Sequence, residues 1–253
     1  MNSKIIFGGV GSSFFLLTSV IFMVKVHTLT SGGSTRSIVR GNAGKRCELQ
    51  KRTSMTTSGF GLIFEVEREL AKFTGAPYAV LTDCCTHALE LAMIADKVKT
   101  TTLPSKTYLS VPMMLIKLGI QFVYTDDEWC GEYQFGSTRI WDSARRLEPN
   151  MYREGQIQCL SFGYDKPIPV GRGGAILLDD EKLAKRLSRM RSDGRDLVIS
   201  PWETQESFEL GYHYRPTIEE AVKIGHALSK YVLTPQPPVQ KNYPDLKNIS
   251  ITS

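Results

Sequence analysis

From Ile63 onward the apolar positions fall into register. Ile63, Val66, Leu70 and Phe73 recur at helical spacing, with Glu65, Glu67, Arg68, Glu69 and Lys72 on the other faces, which predicts an amphipathic helix. Gly75, Ala76 and Pro77 stop it, and Tyr78 to Thr82 is apolar, partly β-branched and bounded by turn residues, a short buried strand. A second helix begins near Thr86 and carries Leu89, Ala92 and Met93 on one stripe. The alternation continues: strands at Thr101 to Leu103, Gln121 to Tyr124, Arg139 to Trp141, Gln158 to Ser161 and Ala175 to Leu178, with a helix through Val111 to Leu118. Strands alternating with helices define an α/β sheet.

Two later helices have legible ends. Asp179 or Asp180 caps one carrying Leu183, Ala184, Leu187 and Met190, with Arg186, Arg189 and Arg191 toward its C-terminal half, where cations suit the helix dipole. Thr217 and Glu220 have capping-box spacing and open a helix with Ile218, Ala221, Val222 and Leu228 inward. Beyond Tyr231 come Pro235, Pro237, Pro238 and Pro244, so residues 234–253 are expected to be an extended or disordered tail.

Charge separates the two ends of the chain. The 253 residues are 42% apolar and 23% charged, which excludes a purely disordered or fibrous protein, and the net charge is +5. Residues 1–54 hold eight basic side chains and one acidic, whereas the remaining 199 residues hold 23 basic and 25 acidic. The excess therefore belongs to an N-terminal extension, and the body offers no electrostatic reason to bind nucleic acid. Ile5 to Val24 is a twenty-residue run without charge, long enough to span a bilayer, although six of the twenty are Gly or Ser. If it inserts, Lys25, Arg36, Arg40, Lys45 and Arg46 keep the following chain in the cytoplasm. The body is thus expected in the cytoplasm, either free or anchored through 5–24, which is the one route to a membrane. The cluster Gly8-Gly9-x-Gly11 lacks the strand and helix of a nucleotide loop, and Asn248-Ile249-Ser250 is a sequon that a cytosolic chain would not use. The five cysteines are odd in number without C-x-x-C spacing, so no disulfide framework and no metal site is expected.

Three short stretches can carry chemistry. Ser161 to Gly174 places one lysine, Lys166, between a strand end and a glycine-rich turn. A lysine there can form a Schiff base with a carbonyl compound, although a lone loop lysine is ordinarily a solvated surface residue. Asp142 follows the strand ending at Trp141; it can cap a helix, coordinate a ligand, or hold the N–H of a pyridinium ring. Asp83 to Leu89 turns a strand into a helix N-terminus, where the backbone of Cys85 and Thr86 and the Thr86 hydroxyl suit a phosphate, or where Thr86 is an ordinary cap.

Read together, in order and spacing, these stretches resemble the DegT/StrS family of pyridoxal-phosphate-dependent sugar aminotransferases. The resemblance runs from about Gly59 to Leu228 through six blocks: Phe64 to Val80, the T-D-C-C-T-H-A-L turn, L-P-S-K-T-Y, W-D-S-A-R, the Lys166 loop with G-R-G-G, and G-Y-H-Y-R-P. It implies that Lys166 is the Schiff-base lysine and proton carrier and Asp142 the pyridine-nitrogen partner. By the same resemblance Tyr108 stacks on the cofactor ring, and Cys85, Thr86 and Ser161 cup the phosphate. Arg145 falls three residues after the aspartate, near the cofactor's phenolic oxygen, and His213 stands near a phosphate contact that comes from the neighbouring subunit of a homodimer. Departures from the family pattern are Arg145 itself, Arg172 where the family carries Glu, His213 where it carries Asn, and Gly163-Tyr164-Asp165 ahead of the lysine. Typical members also continue into a substantial small domain after the Gly211 block, so part of the substrate wall is expected to be missing.

The expected fold is therefore aspartate-aminotransferase-like: a mostly parallel seven-stranded sheet with helices on both faces, formed by residues 55–233 between the extension and the tail. The expected activity is transfer of an amino group, from glutamate by resemblance, to a keto group of a nucleotide-linked sugar, with pyridoxal 5'-phosphate as cofactor. Two alternatives have other consequences. One is a catalytically reduced cofactor- or sugar-binding relative with a regulatory or scaffold role; the other is a membrane-anchored interaction protein.

Overall fold

The computed structural model describes residues 60–199, 201–238 and 241–250. The candidate span 5–24 and the rest of the extension lie outside these residues; among the described residues no helix is long and apolar enough to cross a membrane. The chain runs α1 (Gly61–Thr74), β1 (Tyr78–Thr82), α2 (Cys85–Ala95), β2 (Thr100–Pro104), α3 (Ser110–Lys117), β3 (Gln121–Thr125), β4 (Tyr133–Gln134), β5 (Ile140–Asp142), β6 (Ile157–Ser161), β7 (Gly174–Leu178), α4 (Glu181–Met190) and α5 (Ile218–Tyr231).

Among the described residues seven strands form in an α/β arrangement, but their pairing corrects the expectation of one mostly parallel sheet. Five form a mixed sheet in the order β1-β7-β6-β5-β4, and β2 and β3 form a separate parallel pair. Only β5 and β6 are parallel in the larger sheet; β7 is antiparallel to both of its neighbours, and β4 to β5. The β6–β7 connection doubles back on itself, with the Phe162 N–H on the Gly173 carbonyl and the Gly171 N–H on the Phe162 carbonyl, so β7 returns antiparallel, whereas the open, helix-free 143–156 segment crosses over and returns β6 parallel to β5. β2 and β3 have α3 between them and are parallel accordingly.

Alternation along the strands divides the core into two layers. Val80, Cys159, Ile176 and Leu178 pack on one face with α2, α3 and α4, while Ala79, Leu81, Leu160, Ala175 and Leu177 pack on the other with α1 and α5. α1 ends at Gly75, which takes the left-handed conformation (φ 75°) of a helix C-cap. Its predicted polar face is broken by Glu67, which is buried: the carboxylate accepts the Leu81 N–H (2.7 Å) and pairs with the fully buried Arg191, whose guanidinium also donates to the Leu81 carbonyl. The Asp180 cap on α4 and the Thr217–Glu220 capping box on α5 form as the spacing predicts. On α5, however, Ile218 and Val222 are exposed and the inward stripe is Ala221, Ile224, Leu228 and Tyr231. The stripe is set by the approach to α1, where a Cβ at Gly225 would come within 2.8 Å of Val66.

The segment after α5 is also corrected. Its described part is pinned to the body: the Tyr231 hydroxyl bonds both the N–H and the carbonyl of Gln236, Pro238 fills the space beside Gly131, and Leu246 is buried with its N–H on the Ser105 carbonyl (3.0 Å). Proline removes backbone donors and fixes φ, which suits an irregular strap as well as a free tail.

Candidate active site

The strand ends of β5 and β6 and the start of β7 converge on one corner of the sheet. Asp142 ends β5 and is buried; its Oδ1 accepts the Ala144 N–H (3.0 Å) and its Oδ2 the Tyr133 hydroxyl (3.1 Å). Burial raises the Asp142 pKa above the usual carboxylate range, against the opposing pull of the Ala144 N–H, the Lys166 charge and the Tyr133 hydroxyl. Burial likewise pushes the Tyr133 phenol well up, so it stays a neutral donor, and it takes a further hydrogen bond with Thr107 (2.8 Å).

Lys166 lies in the turn between β6 and β7. Its N–H donates to Gly163 (3.2 Å), and the turn closes through the Gly171 N–H on the Phe162 carbonyl (2.9 Å). Gly171 and Gly173 have φ of 108° and 124°, conformations that side chains rarely adopt, and a Cβ at Gly171 would strike the Tyr164 ring. The Lys166 side chain is 12% exposed and its Nζ stands 3.8 Å from Asp165. Asp165 also accepts Arg145 Nη1 (3.1 Å), and Arg145 is itself buried. Hydrogen bonding from Lys241, against a partial loss of hydration and with help from Lys166 and Arg145, holds the Asp165 carboxyl down at about 2.

α2 meets this corner end-on. Its N-cap is Cys84 and not Thr86: the Cys84 Sγ accepts the His87 N–H (3.4 Å), leaving Cys85 and Thr86 in the first turn, where N–H groups lack helical acceptors. The Thr86 hydroxyl is 2.7 Å from that of Ser110. A Cβ at Gly174 would collide with the backbone of Cys84 and Cys85, so the helix sits directly on the start of β7. Burial, reinforced by the Asp142 charge, pushes the Cys85 thiol well up and keeps it neutral.

Lys166, Asp142 and Cys85 are thus within electrostatic reach of one another, with Thr86 beside Cys85 and Arg145 joined to Lys166 through Asp165. Ser161 ends β6 with its Oγ 3.4 Å from the Gly163 N–H. Tyr108 adjoins Thr107, the partner of Tyr133, and is 59% exposed with its ring edge-on to Tyr243 (6.4 Å). His213 stands apart: its ring is exposed and bonds Asp193 (3.1 Å).

Sequence reasoning missed several neighbours. Tyr133 lies on a two-residue strand too short to leave a periodic signal. A second polar cluster borders the site, in which Asp83 receives His87 Nδ1 and Arg172 Nη2, both at 2.6 Å. The His87 ring stacks on Tyr214 (3.6 Å, 7°), whose hydroxyl donates to Glu90 (2.9 Å). Asp83, Cys84 and His87 carry donor atoms close enough to ligate one metal ion, but both Asp83 oxygens are engaged by His87 and Arg172. Arg172, the charge reversal beside the lysine loop, spends its charge on Asp83 and Glu220.

The sequence model of the DegT/DnrJ/EryC1/StrS aminotransferase family matches residues 46–130 and 151–225, and the chain belongs to that family. Lys166, Cys85, Thr86, Tyr108, Ser161 and His213 lie inside the matched stretches; Asp142, Arg145 and Tyr133 lie between them. No curated protein matches the chain in sequence. Among solved structures, a putative PLP-dependent aminotransferase from Bacillus cereus is 18% identical with a TM-score of 0.55, over 69% of this chain and 59% of that one. PseC from Helicobacter pylori, an aminotransferase involved in the biosynthesis of pseudoaminic acid, is 16% identical with a TM-score of 0.56, over 68% and 58%. NtdA from Bacillus subtilis, with bound cofactor PMP, is 18% identical with a TM-score of 0.56, over 68% and 48%. These likenesses establish the aspartate-aminotransferase-like fold, and the chain spans about three fifths of the first two structures.

Proposed function

We propose that this chain forms the cofactor-binding part of a pyridoxal-phosphate-dependent aminotransferase acting on a nucleotide-linked sugar, with glutamate as amino donor and a homodimer as the active unit. The observation that carries the reading is Asp142 at the end of β5 within electrostatic reach of Lys166 in the β6–β7 turn: an amine facing a desolvated carboxylate whose direct hydrogen-bond partners are both neutral. Such a carboxylate fits a protonated ring nitrogen, which would supply the missing positive charge. The first turn of α2, with the Thr86 hydroxyl and Ser161 nearby, fits a phosphate.

When bound, pyridoxal phosphate supplies an electron-withdrawing ring that takes up the electron pair left at the substrate carbon. The chain's own residues do the rest. Asp142 keeps a proton at the ring nitrogen, and Tyr133, with Thr107 behind it, orients that carboxylate. Lys166 Nζ is the nucleophile that anchors the cofactor and afterwards takes and returns the proton at the amino-bearing carbon. The Cys85 and Thr86 end of α2 would hold the phosphate, Tyr108 would pack on the ring, and Arg145 would supply a hydrogen-bond donor to it. His213, whose ring is exposed and bonds Asp193, is available to a second subunit.

The test is the absorbance spectrum of the protein with pyridoxal phosphate before and after borohydride, with Lys166→Ala in parallel. A visible band in the unaltered chain, abolished by reduction with the cofactor mass fixed on Lys166, is the expected result. No band at saturating cofactor in a folded protein overturns the reading and favours a cofactor-free binding relative.

A further inference from the structure

The described residues after α5, 232–238 and 241–250, pack beside this site. They are held at their near end by Gln236 on Tyr231 and Pro238 against Gly131, and at their far end by Leu246 on Ser105 and Lys247 on Asp126. Between these anchors Lys241 pairs with Asp165, and the Tyr243 ring stacks on Trp129 (5.9 Å, 17°) and meets the edge of Tyr108. Trp129 in turn packs on Tyr133, the Asp142 partner. Among the described residues of this segment, the side chain that reaches the lysine loop is Lys241.

We propose that Lys241 is a positioning residue for Lys166, acting through their shared partner Asp165. The inference rests on reading Lys166 as the reactive amine. Lys241 and Arg145 both engage Oδ2 of Asp165, and Oδ1 faces Lys166 at 3.8 Å, inside ion-pair distance and beyond a hydrogen bond. The charged and titratable groups around Lys166 are Asp165 on its own turn, Asp142 at the end of β5, Cys85 at the start of α2, Arg145 behind Asp165 and Lys241 from the strap. With Lys241 and Arg145 both on Oδ2, the carboxylate is held so that Oδ1 stays off the Lys166 amine; without Lys241 the carboxylate is free to turn onto Nζ and tie the amine up in a hydrogen bond. The pair is half-exposed, so the effect is moderate.

The experiment measures how fast Lys166 is modified by an amine-selective acylating reagent across pH, by peptide mass spectrometry on the full chain without cofactor. Lys241→Ala is expected to slow labelling of Lys166 by about threefold at each pH, while Lys241→Arg keeps the original rate. In an Asp165→Asn background the Lys241→Ala effect shrinks, because the shared partner is gone; a merely structural strap would show the same loss in both backgrounds. An unchanged labelling rate in folded Lys241→Ala, or an equal loss in the Asp165→Asn background, overturns the proposal. Failure of the cofactor reading is separate and shows as the missing reducible band in the unaltered chain.

Discussion

The Tyr133 hydroxyl lies 3.1 Å from Oδ2 of Asp142 and 2.8 Å from the Thr107 hydroxyl, so a two-residue strand supplies the side chain that orients the buried carboxylate. Tyr133→Phe removes that donor without changing the ring. The dissociation constant for pyridoxal phosphate is expected to rise by about five- to thirtyfold, matching a lost hydrogen bond of about 1–2 kcal/mol to a charged group. Spectrophotometric titration of the folded variant checks it, and unchanged affinity would remove Tyr133 from the site.

Arg191 and Glu67 form a buried pair that ties α4 to α1 and to the Leu81 carbonyl of β1. Deleting one partner strands the other charge in the core, so Arg191→Met should destabilise the fold by about 3–5 kcal/mol. Combining it with Glu67→Met should recover much of that loss. Denaturant midpoints of the two variants decide, and equal loss in both would show that the pair's packing, not its charge, matters.

His87 gives a pH dependence of defined sign. Burial alone would lower its pKa, but hydrogen bonds with Asp83 and Cys84 outweigh it and raise the pKa to about 9, above the ordinary value near 6.5. A group raised on folding contributes stability that is complete below its unfolded pKa and is lost as pH rises through the folded one. The stability of the protein should therefore fall between about pH 6.5 and 9, and His87→Gln should flatten the curve in that window. A curve of the same shape in both proteins would refute the assignment.

Gly174 sets how closely α2 approaches β7. Gly174→Ala places a Cβ in the backbone of Cys84 and Cys85, and should cost about 2 kcal/mol or more while weakening cofactor binding beyond what Thr86→Val does. Thermal unfolding with and without pyridoxal phosphate separates the two effects.

Much of this was legible in the order of residues. β1 and the capping box of α5 were predicted at their observed positions, because their signals are local: an apolar run between turns, and two side chains three residues apart. Lys166, Asp142 and the start of α2 were singled out through family resemblance, and the chain places them at one corner of the sheet. What was not legible depends on partners far away in the chain. Glu67 reads as a surface residue until Arg191 arrives 124 positions later, and the direction of β7 follows from a turn whose length alone does not distinguish it from a crossover. The strap was misread because proline content reports the absence of helix and strand, not the absence of packing; Leu246 and Lys241 find their places on Ser105 and Asp165.

The two-layer core has a consequence for synthesis. The α2, α3 and α4 layer is complete once residue 190 has been made, but the apolar stripe of α1 is covered by α5, which ends at Tyr231. During translation α1 can pack on β1 and the rest of its face of the sheet, but its contact with α5, made where Gly225 meets Val66, waits until the opposite side of the sheet has assembled. That interval is when a nascent chain is most exposed to chaperones and to association with its neighbours on the polysome.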